Sequence, residues 1–243
     1  MSELESIRNF KRVVLKLSGE ALRAVGSHDN ISPEIVGRIA REIHEAREAS
    51  NVELAIVVGG GNFWRGASAS ARGMDRATAD YVGMLATVMN ALALQAALEQ
   101  EGEECIVHSA IHMQNVAEPF IRRKASRQMS RGAIVIFAAG TGSPFFSTDT
   151  TAALRANEMN ADVIFKATMV DGVYDSDPKK NPEAKRFETV SFRQCISEEL
   201  GVMDTTAFSL CMDNDIPIII FDLGKEGNIQ IALNHGEIGT IVH

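Results

Sequence analysis

The sequence predicts an α/β protein: a three-layer αβα sandwich around a largely parallel sheet. Three observations carry that expectation. Short, continuous apolar runs recur at Val13–Leu17, Leu54–Val58, Ile134–Phe137 and Val163–Ala167, as expected for strands covered on both faces. Segments with helical periodicity alternate with them. Glycine clusters stand where these strands should end, and in open parallel sheets ligands sit beyond the carboxyl ends of strands.

Taken in order, VVLKL at Val13 is a strand that Ser18-Gly19 turns into a loop. Ser32-Pro33 starts a helix, since Ser suits the cap and Pro the first turn. Ile35, Ile39 and Ile43 then recur on one face, the spacing of a buried stripe. LAIVV ends at Gly59-Gly60-Gly61, and a long Ala-rich helix is expected over Arg76–Glu101. Ile106–His108 and Ile134–Phe137 are further strands. Thr148–Asn160 reads as a helix, Val163–Ala167 as a strand and Asp171–Pro182 as a loop. Two amphipathic helices and a strand over Ile216–Phe221 complete the pattern. No linker divides the chain, so residues 1–243 are expected to form one domain with two functional lobes.

Of 243 residues, 45% are hydrophobic and 23% charged, enough apolar matter to bury a core without disulfides or a structural metal. Lys and Arg total 24 against 32 Asp and Glu, a net charge of −8. Broad, non-specific binding to nucleic acid, which needs a basic face, is thereby excluded. An anionic small molecule would instead need backbone amides, a few placed cations and usually a divalent ion. Cys105, Cys195 and Cys211 are scattered and form no C-x-x-C, which fits a reducing cytosol better than a disulfide framework. Residues 1–12 lack the apolar core of a signal peptide. The uncharged stretch Tyr81–Leu98 is long enough to span a membrane, but Thr87, Asn90 and Gln95 interrupt it. A helix apolar nearly all round belongs more simply in a core or at a subunit contact.

Four segments carry chemistry. In Lys16-Leu17-Ser18-Gly19-Glu20, a strand lysine followed by a hydroxyl and a glycine aims an ammonium and backbone amides at one anion; a snorkelling edge lysine is the simpler reading. In Gly59-Gly60-Gly61-Asn62-Phe63-Trp64-Arg65-Gly66, the glycines permit close backbone approach to a phosphate and Arg65 offers a bidentate fork. The run from Gly140 to Thr150 combines small residues, hydroxyls, Phe145-Phe146 and Asp149. Hydroxyls and amides suit a phosphate or sugar, and the phenylalanines suit a base. Asp149 is there as a cation ligand, a lysine-orienting group or a helix cap. Finally, Lys166 to Pro178 runs from a strand into a loop with an aromatic and three acids, two of them in plain turn dipeptides.

Other signatures fail. No G-x-x-x-x-G-K-[ST] occurs, Phe145 stands where a dinucleotide fingerprint wants its third glycine, and H-E-x-x-H and G-x-S-x-G are missing. His108 and His112 are a metal pair without further support. Several anion sites at strand ends point to phosphoryl transfer.

These segments, in this order and spacing, resemble the bacterial UMP kinases of the amino acid kinase family. K-L-S-G-E at Lys16, G-G-G-N-x-x-R-G at Gly59, T-G-x-P-F-F-x-T-D at Thr141 and K-A-T-x-V-D-G-V-Y at Lys166 carry the resemblance, with Gly83–Asn90 in the long helix. It covers Lys11 to Val242. The resemblance implies transfer of the ATP γ-phosphoryl group to UMP with Mg²⁺, in a homohexamer of αβα subunits, with UTP as an inhibitor. It implies that Lys16, Leu17, Ser18 and Gly19 meet the ATP phosphates, joined by Lys166, Thr168, Tyr174 and Asp177 on the ATP side. Gly61 and Arg65 would lie near the transferred group. Gly60, Asp80 and the loop Thr141, Gly142, Ser143, Pro144, Phe145, Phe146, Ser147 and Thr148 would hold UMP. Asp149 and Asp204 would stand at the catalytic centre. No residue is assigned as a metal ligand. The chain departs from the family over Arg23–Ile31, where relatives carry a glycine-rich stretch, and at Gln95, where an arginine is common; both regions bear on activation by GTP.

Overall fold

The computed structural model describes residues 7, 9–24, 26, 28–176, 178 and 180–243. Nine strands form one sheet: β1 (Arg12–Leu17), β2 (Glu53–Val58), β3 (Cys105–Ser109), β4 (Glu118–Pro119), β5 (Ile134–Ala138), β6 (Val163–Thr168), β7 (Thr189–Val190), β8 (Ile218–Asp222) and β9 (Thr240–Val242). Their order is β4-β3-β5-β2-β1-β6-β8-β9-β7. Pairing is parallel throughout except between β8 and β9. The α-helices among the described residues are α1 (Pro33–Ala49), α2 (Gly66–Ser70), α3 (Arg76–Gln100), α4 (Arg122–Met129), α5 (Thr148–Met159), α6 (Phe192–Ser197), α7 (Thr205–Met212) and α8 (Asn228–Leu233). The αβα sandwich with a largely parallel sheet is therefore present.

Strand alternation builds the layers. Val13, Leu15 and Leu17 of β1 enter one core, with Ile39 and Ile43 of α1, Leu94 of α3 and Ile229 of α8. Val14 enters the opposite core, with Ala125 of α4, Ala152 and Ala156 of α5 and Phe208 of α7. By the same alternation Lys16 belongs to the face of Val14, and on β6 Lys166 belongs to the face of Ile164. Local chemistry sets the helix starts: Ser32 caps α1 through the Ile35 N–H, with Pro33 in the first turn. Asp75 caps α3 through Thr78, and Ser147 caps α5 through Asp149 and Thr150. Each satisfies an otherwise orphaned donor.

Some expectations shift. Strand β8 begins at Ile218, after Pro217, rather than at Ile216, because proline has no N–H for the ladder. The elements α2, α4, β4, β7, β9 and α8 were invisible to periodicity. In α4 (RRKASRQM) only Ala125 and Met129 are buried, too few to make a stripe. Helix α3 is long and apolar enough to cross a membrane. It lies instead along the sheet, against α1, β2, β3 and β5, and it is not buried all round: Tyr81, Val82, Leu85 and Met89 are exposed. His108, buried, binds Gln128, and burial pushes all three cysteine thiols up, Cys105 and Cys211 to about 12 and Cys195 to about 11. They are inert as nucleophiles.

Candidate active site

Strands β5, β2, β1 and β6 are neighbours and parallel, so the loops at their carboxyl ends, beginning at Ala139, Gly59, Ser18 and Met169, converge at one edge of the sheet. Helices α1 and α3 cover one face and α5 the other, the arrangement in which a crevice opens at the strand ends.

The register of β1 on β6 pairs Lys16 directly with Lys166. Both lysines are buried, and two ammonium groups side by side on one face need a counter-charge. Helix α5 supplies it. Because Ser147 takes the capping role, Asp149 in the first turn is free to reach the sheet. Lys166 Nζ donates to Asp149 Oδ2 at 2.5 Å, and Lys16 Nζ lies 2.9 Å from Oδ1. The second contact is an ion pair bent out of hydrogen-bond geometry, which leaves Oδ1 without a well-aligned donor. Burial pushes the Asp149 carboxyl up, but Lys16 and then Lys166 outweigh it and hold the carboxyl below the usual range. Burial pushes the Lys166 ammonium below its usual value, only partly offset by Asp149 and aggravated by Lys16. The trio carries a net positive charge where an anion would meet it.

Thr148 and Thr150, the chain neighbours of Asp149, border a cleft of about 620 Å³. Gly60, Gly61, Arg65, Asp80, Thr141, Ser143, Phe145, Phe146, Ser147, Thr148 and Asp204 border it, together with Trp64, Arg76 and Thr87. Asp80 accepts from Arg76 Nε at 3.0 and 2.9 Å and from the Phe145 N–H at 2.8 Å. Phe145 has φ of +73°, an uncommon conformation for a bulky residue. Its ring, 67% exposed, lies under the Arg76 guanidinium at 5.7 Å. Ala139, with φ of +60°, is held likewise: Thr87 Oγ1 accepts its N–H at 2.8 Å and donates to Met84 at 2.7 Å. Arg65 pairs with Glu20 at the surface.

A second cleft, of about 540 Å³, is bordered by Thr168, two residues beyond Lys166 on the same strand, and by Gly172, Tyr174 and the segment Glu198–Val202. The Tyr174 hydroxyl donates to Asp171 at 2.8 Å, a bond that pushes the phenol up. Asp177 falls outside the described residues.

The structure thus brings Lys16, Asp149 and Lys166 together and sets most of the other expected residues along the two clefts, with three qualifications. Leu17 points into the core and its carbonyl accepts the Gly59 N–H, so it shapes the loop. Gly142 packs against Ala110, and neither it nor Pro144 borders the cleft. Asp204 caps α7 through Ala207 and accepts from Ser147 and Thr150, clamping two helix starts together; its charge reaches Lys166 only as a minor influence. Sequence reasoning missed Trp64, Arg76, Thr87 and Glu198–Val202. Among the described residues no group of three His, Cys, Asp or Glu could hold a metal, and both Asp149 oxygens face lysines. The donor set does not fit a cation caged by protein alone.

Buried cations, glycine loops and two clefts at parallel strand ends define an α/β protein that brings two anionic ligands together. The chain belongs to the amino acid kinase family, whose sequence model matches residues 11–222. It is similar to the crystal structure of a UMP kinase from Bacillus anthracis, at 37% identity and a TM-score of 0.91 over 96% of each chain. A UMP kinase from Ureaplasma parvum is 37% identical, with a TM-score of 0.89 over 96% of this chain and 98% of that one. A uridylate kinase from Archaeoglobus fulgidus is 30% identical, with a TM-score of 0.72 over 95% of this chain and 99% of that one.

Proposed function

We propose that this chain is a kinase that transfers the γ-phosphoryl group of ATP to UMP, giving ADP and UDP. The observation that carries the reading is the Lys16–Asp149–Lys166 cluster, whose chain neighbours Thr148 and Thr150 border one cleft and Thr168 the other. UMP occupies the cleft of Asp80 and Phe145, and ATP that of Thr168 and Tyr174, with Asp177 on the same side. A UMP phosphate oxygen attacks the γ-phosphorus. The new P–O bond forms as the bond from phosphorus to the β–γ bridging oxygen breaks, and its electron pair leaves with ADP. The acceptor oxygen is already ionised at neutral pH, so no general base is required. Protein catalysis here is alignment and charge neutralisation. Lys16, Lys166, Arg65 and the amides of Gly19, Gly60 and Gly61 offset the charge of two nucleotides. Asp149 orients the lysines.

Mg²⁺ would supply further neutralisation of the triphosphate, arriving on the nucleotide with much of its own water shell. The chain acts as one domain, its amino-terminal lobe holding UMP and its carboxyl-terminal lobe ATP. The exposed apolar stripe of α3, with Tyr81, Val82, Leu85 and Met89, supports a contact with a second copy in a homohexamer, because such stripes mark interfaces. We further propose a cytoplasmic enzyme that UTP inhibits by competing at the UMP cleft.

A coupled ADP-release assay with UMP, CMP, dCMP, acetylglutamate and aspartate tests the reading. Turnover with UMP far above the rest is the expected result. CMP equal to UMP would defeat the specificity, and turnover on an amino acid alone would defeat the function. A monomer by light scattering at micromolar concentration would remove the hexamer.

A further inference from the structure

We infer that Asn90 and Asn62 form a positioning device that aims the Gly60 amide at the reacting phosphate; the inference rests on the UMP kinase reading and deepens it. Both side chains are buried. They pair reciprocally: Asn62 Nδ2 donates to Asn90 Oδ1 at 2.9 Å, and Asn90 Nδ2 donates to Asn62 Oδ1 at 2.8 Å. The second proton of each amide is also used. Asn90 donates to the Gly59 carbonyl and Asn62 to the Asn30 carbonyl, both at 2.7 Å. Every N–H of the pair is thus satisfied, the condition under which a buried polar network specifies one arrangement.

The grip on Gly59 has a directional consequence. The chain contains no cis peptide among the described residues. In a planar trans peptide the C=O of one residue and the N–H of the next point in opposite directions. Drawing the Gly59 carbonyl toward Asn90 therefore turns the Gly60 N–H away from the pair, and Gly60 borders the UMP cleft. The loop has little freedom to compensate. A Cβ on Gly60 would lie 2.7 Å from the Gly83 carbonyl and 2.9 Å from Ala86 Cβ, so this backbone is pressed onto α3. The pair also touches the ATP side. A Cβ on Gly19 would meet Gly59 O at 2.5 Å and Asn62 Oδ1 at 2.7 Å. One neutral amide pair thereby ties the Ser18-Gly19 turn, the triglycine turn and α3 together. Carboxylates in its place would bring charge that repels the phosphates and would lack the donors.

Asn90→Asp keeps the shape and removes the donors, so Gly59 loses its grip. Steady-state kinetics at a temperature well below each variant's Tm should show kcat down by about 10- to 100-fold, as for a misaimed group. KM for UMP and for ATP should each stay within about threefold, since the clefts themselves are intact. The double variant Asn62→Ala/Asn90→Ala should lose no more than the worse single variant, because the two act as a unit. Rates that fall only with the unfolded fraction, or singles whose losses multiply in the double, would overturn the role. If Asn90→Asp does not fold, Asn62→Ser removes the same reciprocal pair from the loop side and is read by the same criteria. The wild-type rate with UMP tests the function itself. The variant-to-wild-type ratio tests the pair, and can be taken on whichever acceptor the wild type phosphorylates.

Discussion

The Asp80 carboxylate, in the first turns of α3, accepts the backbone N–H of Phe145 at 2.8 Å across 65 residues of chain. One carboxylate thus borders the cleft proposed for UMP and also holds Phe145, at its rim, in a left-handed conformation. Replacing Asp80 by Ala frees both Phe145 and Arg76. A hydrogen bond to a charged group contributes about 1.5–3 kcal/mol, so KM for UMP should rise by about 10- to 100-fold. KM for ATP should be little changed. Isothermal titration with each nucleotide separates the two.

Asp149→Asn leaves Lys16 and Lys166 adjacent and buried without a counter-charge. Breaking a buried pair from one side costs about 3–5 kcal/mol, so urea unfolding should move to a clearly lower midpoint and turnover should collapse. A variant as stable as the parent would show that the two lysines find other partners.

The same carboxyl sets an acid limb on stability. Its folded value lies below the ordinary one. Its contribution is therefore complete above the unfolded carboxylate value of about 3.9 and is lost as pH falls through the lower folded value. Lys166 gives a slope of the same sign in a higher window: its folded value is also depressed, so the cost of holding it charged is present at neutral pH and is relieved as pH rises between that value and the ordinary lysine value. Urea midpoints of parent and Asp149→Asn should converge as pH drops below about 4. Parallel curves down to the lowest accessible pH would contradict the assignment.

Arg65 offers the opposite separation of stability from activity. Its side chain is 61% exposed and its one ion pair, with Glu20, lies at the surface. Such pairs contribute about 0–1 kcal/mol, so Arg65→Ala should melt with the parent. If the guanidinium neutralises the moving phosphoryl group, kcat/KM should fall by about 10³-fold or more, the scale seen when such an arginine is lost. Near-parental rates would remove Arg65 from the mechanism.

Ala139 is a strained point that glycine relieves. An alanine at φ of +60° carries about 1–2 kcal/mol of left-handed strain. Ala139→Gly relieves that strain but gives up a methyl buried in the core, worth about 0.8 kcal/mol, and loosens the unfolded chain, so stability should fall slightly, by less than about 1 kcal/mol. Differential scanning calorimetry reads the sign directly.

Much of this layout was legible in the sequence. Lys16 stood out because lysine is rare in buried strands, Lys166 only as the one lysine of a strand entering a loop, and the glycine runs marked the strand ends. Asp149 was visible as a first-turn acid, but three roles fitted it. Only the register of β1 on β6 and the nearby cap at Ser147 decide among them. Thr87 and Asn90 looked like interruptions in an apolar helix, because periodicity marks which face is buried and not which polar group a loop will need. Glu198–Val202 gave no signal. It reaches the second cleft through the packing of α6 and α7, a long-range consequence that no local pattern encodes. The short strands β4, β7 and β9 were missed for the same reason.

The pairing of Lys16 with Lys166 across adjacent strands also restricts how the chain can change its length. A single residue inserted or deleted within β1 or β6 would exchange the two faces of that strand. One ammonium would then enter the layer of Leu15 and Phe165, and a leucine or phenylalanine would take its place beside Asp149. Insertions and deletions are thereby confined to the loops, while the two strands tolerate only replacement at fixed length.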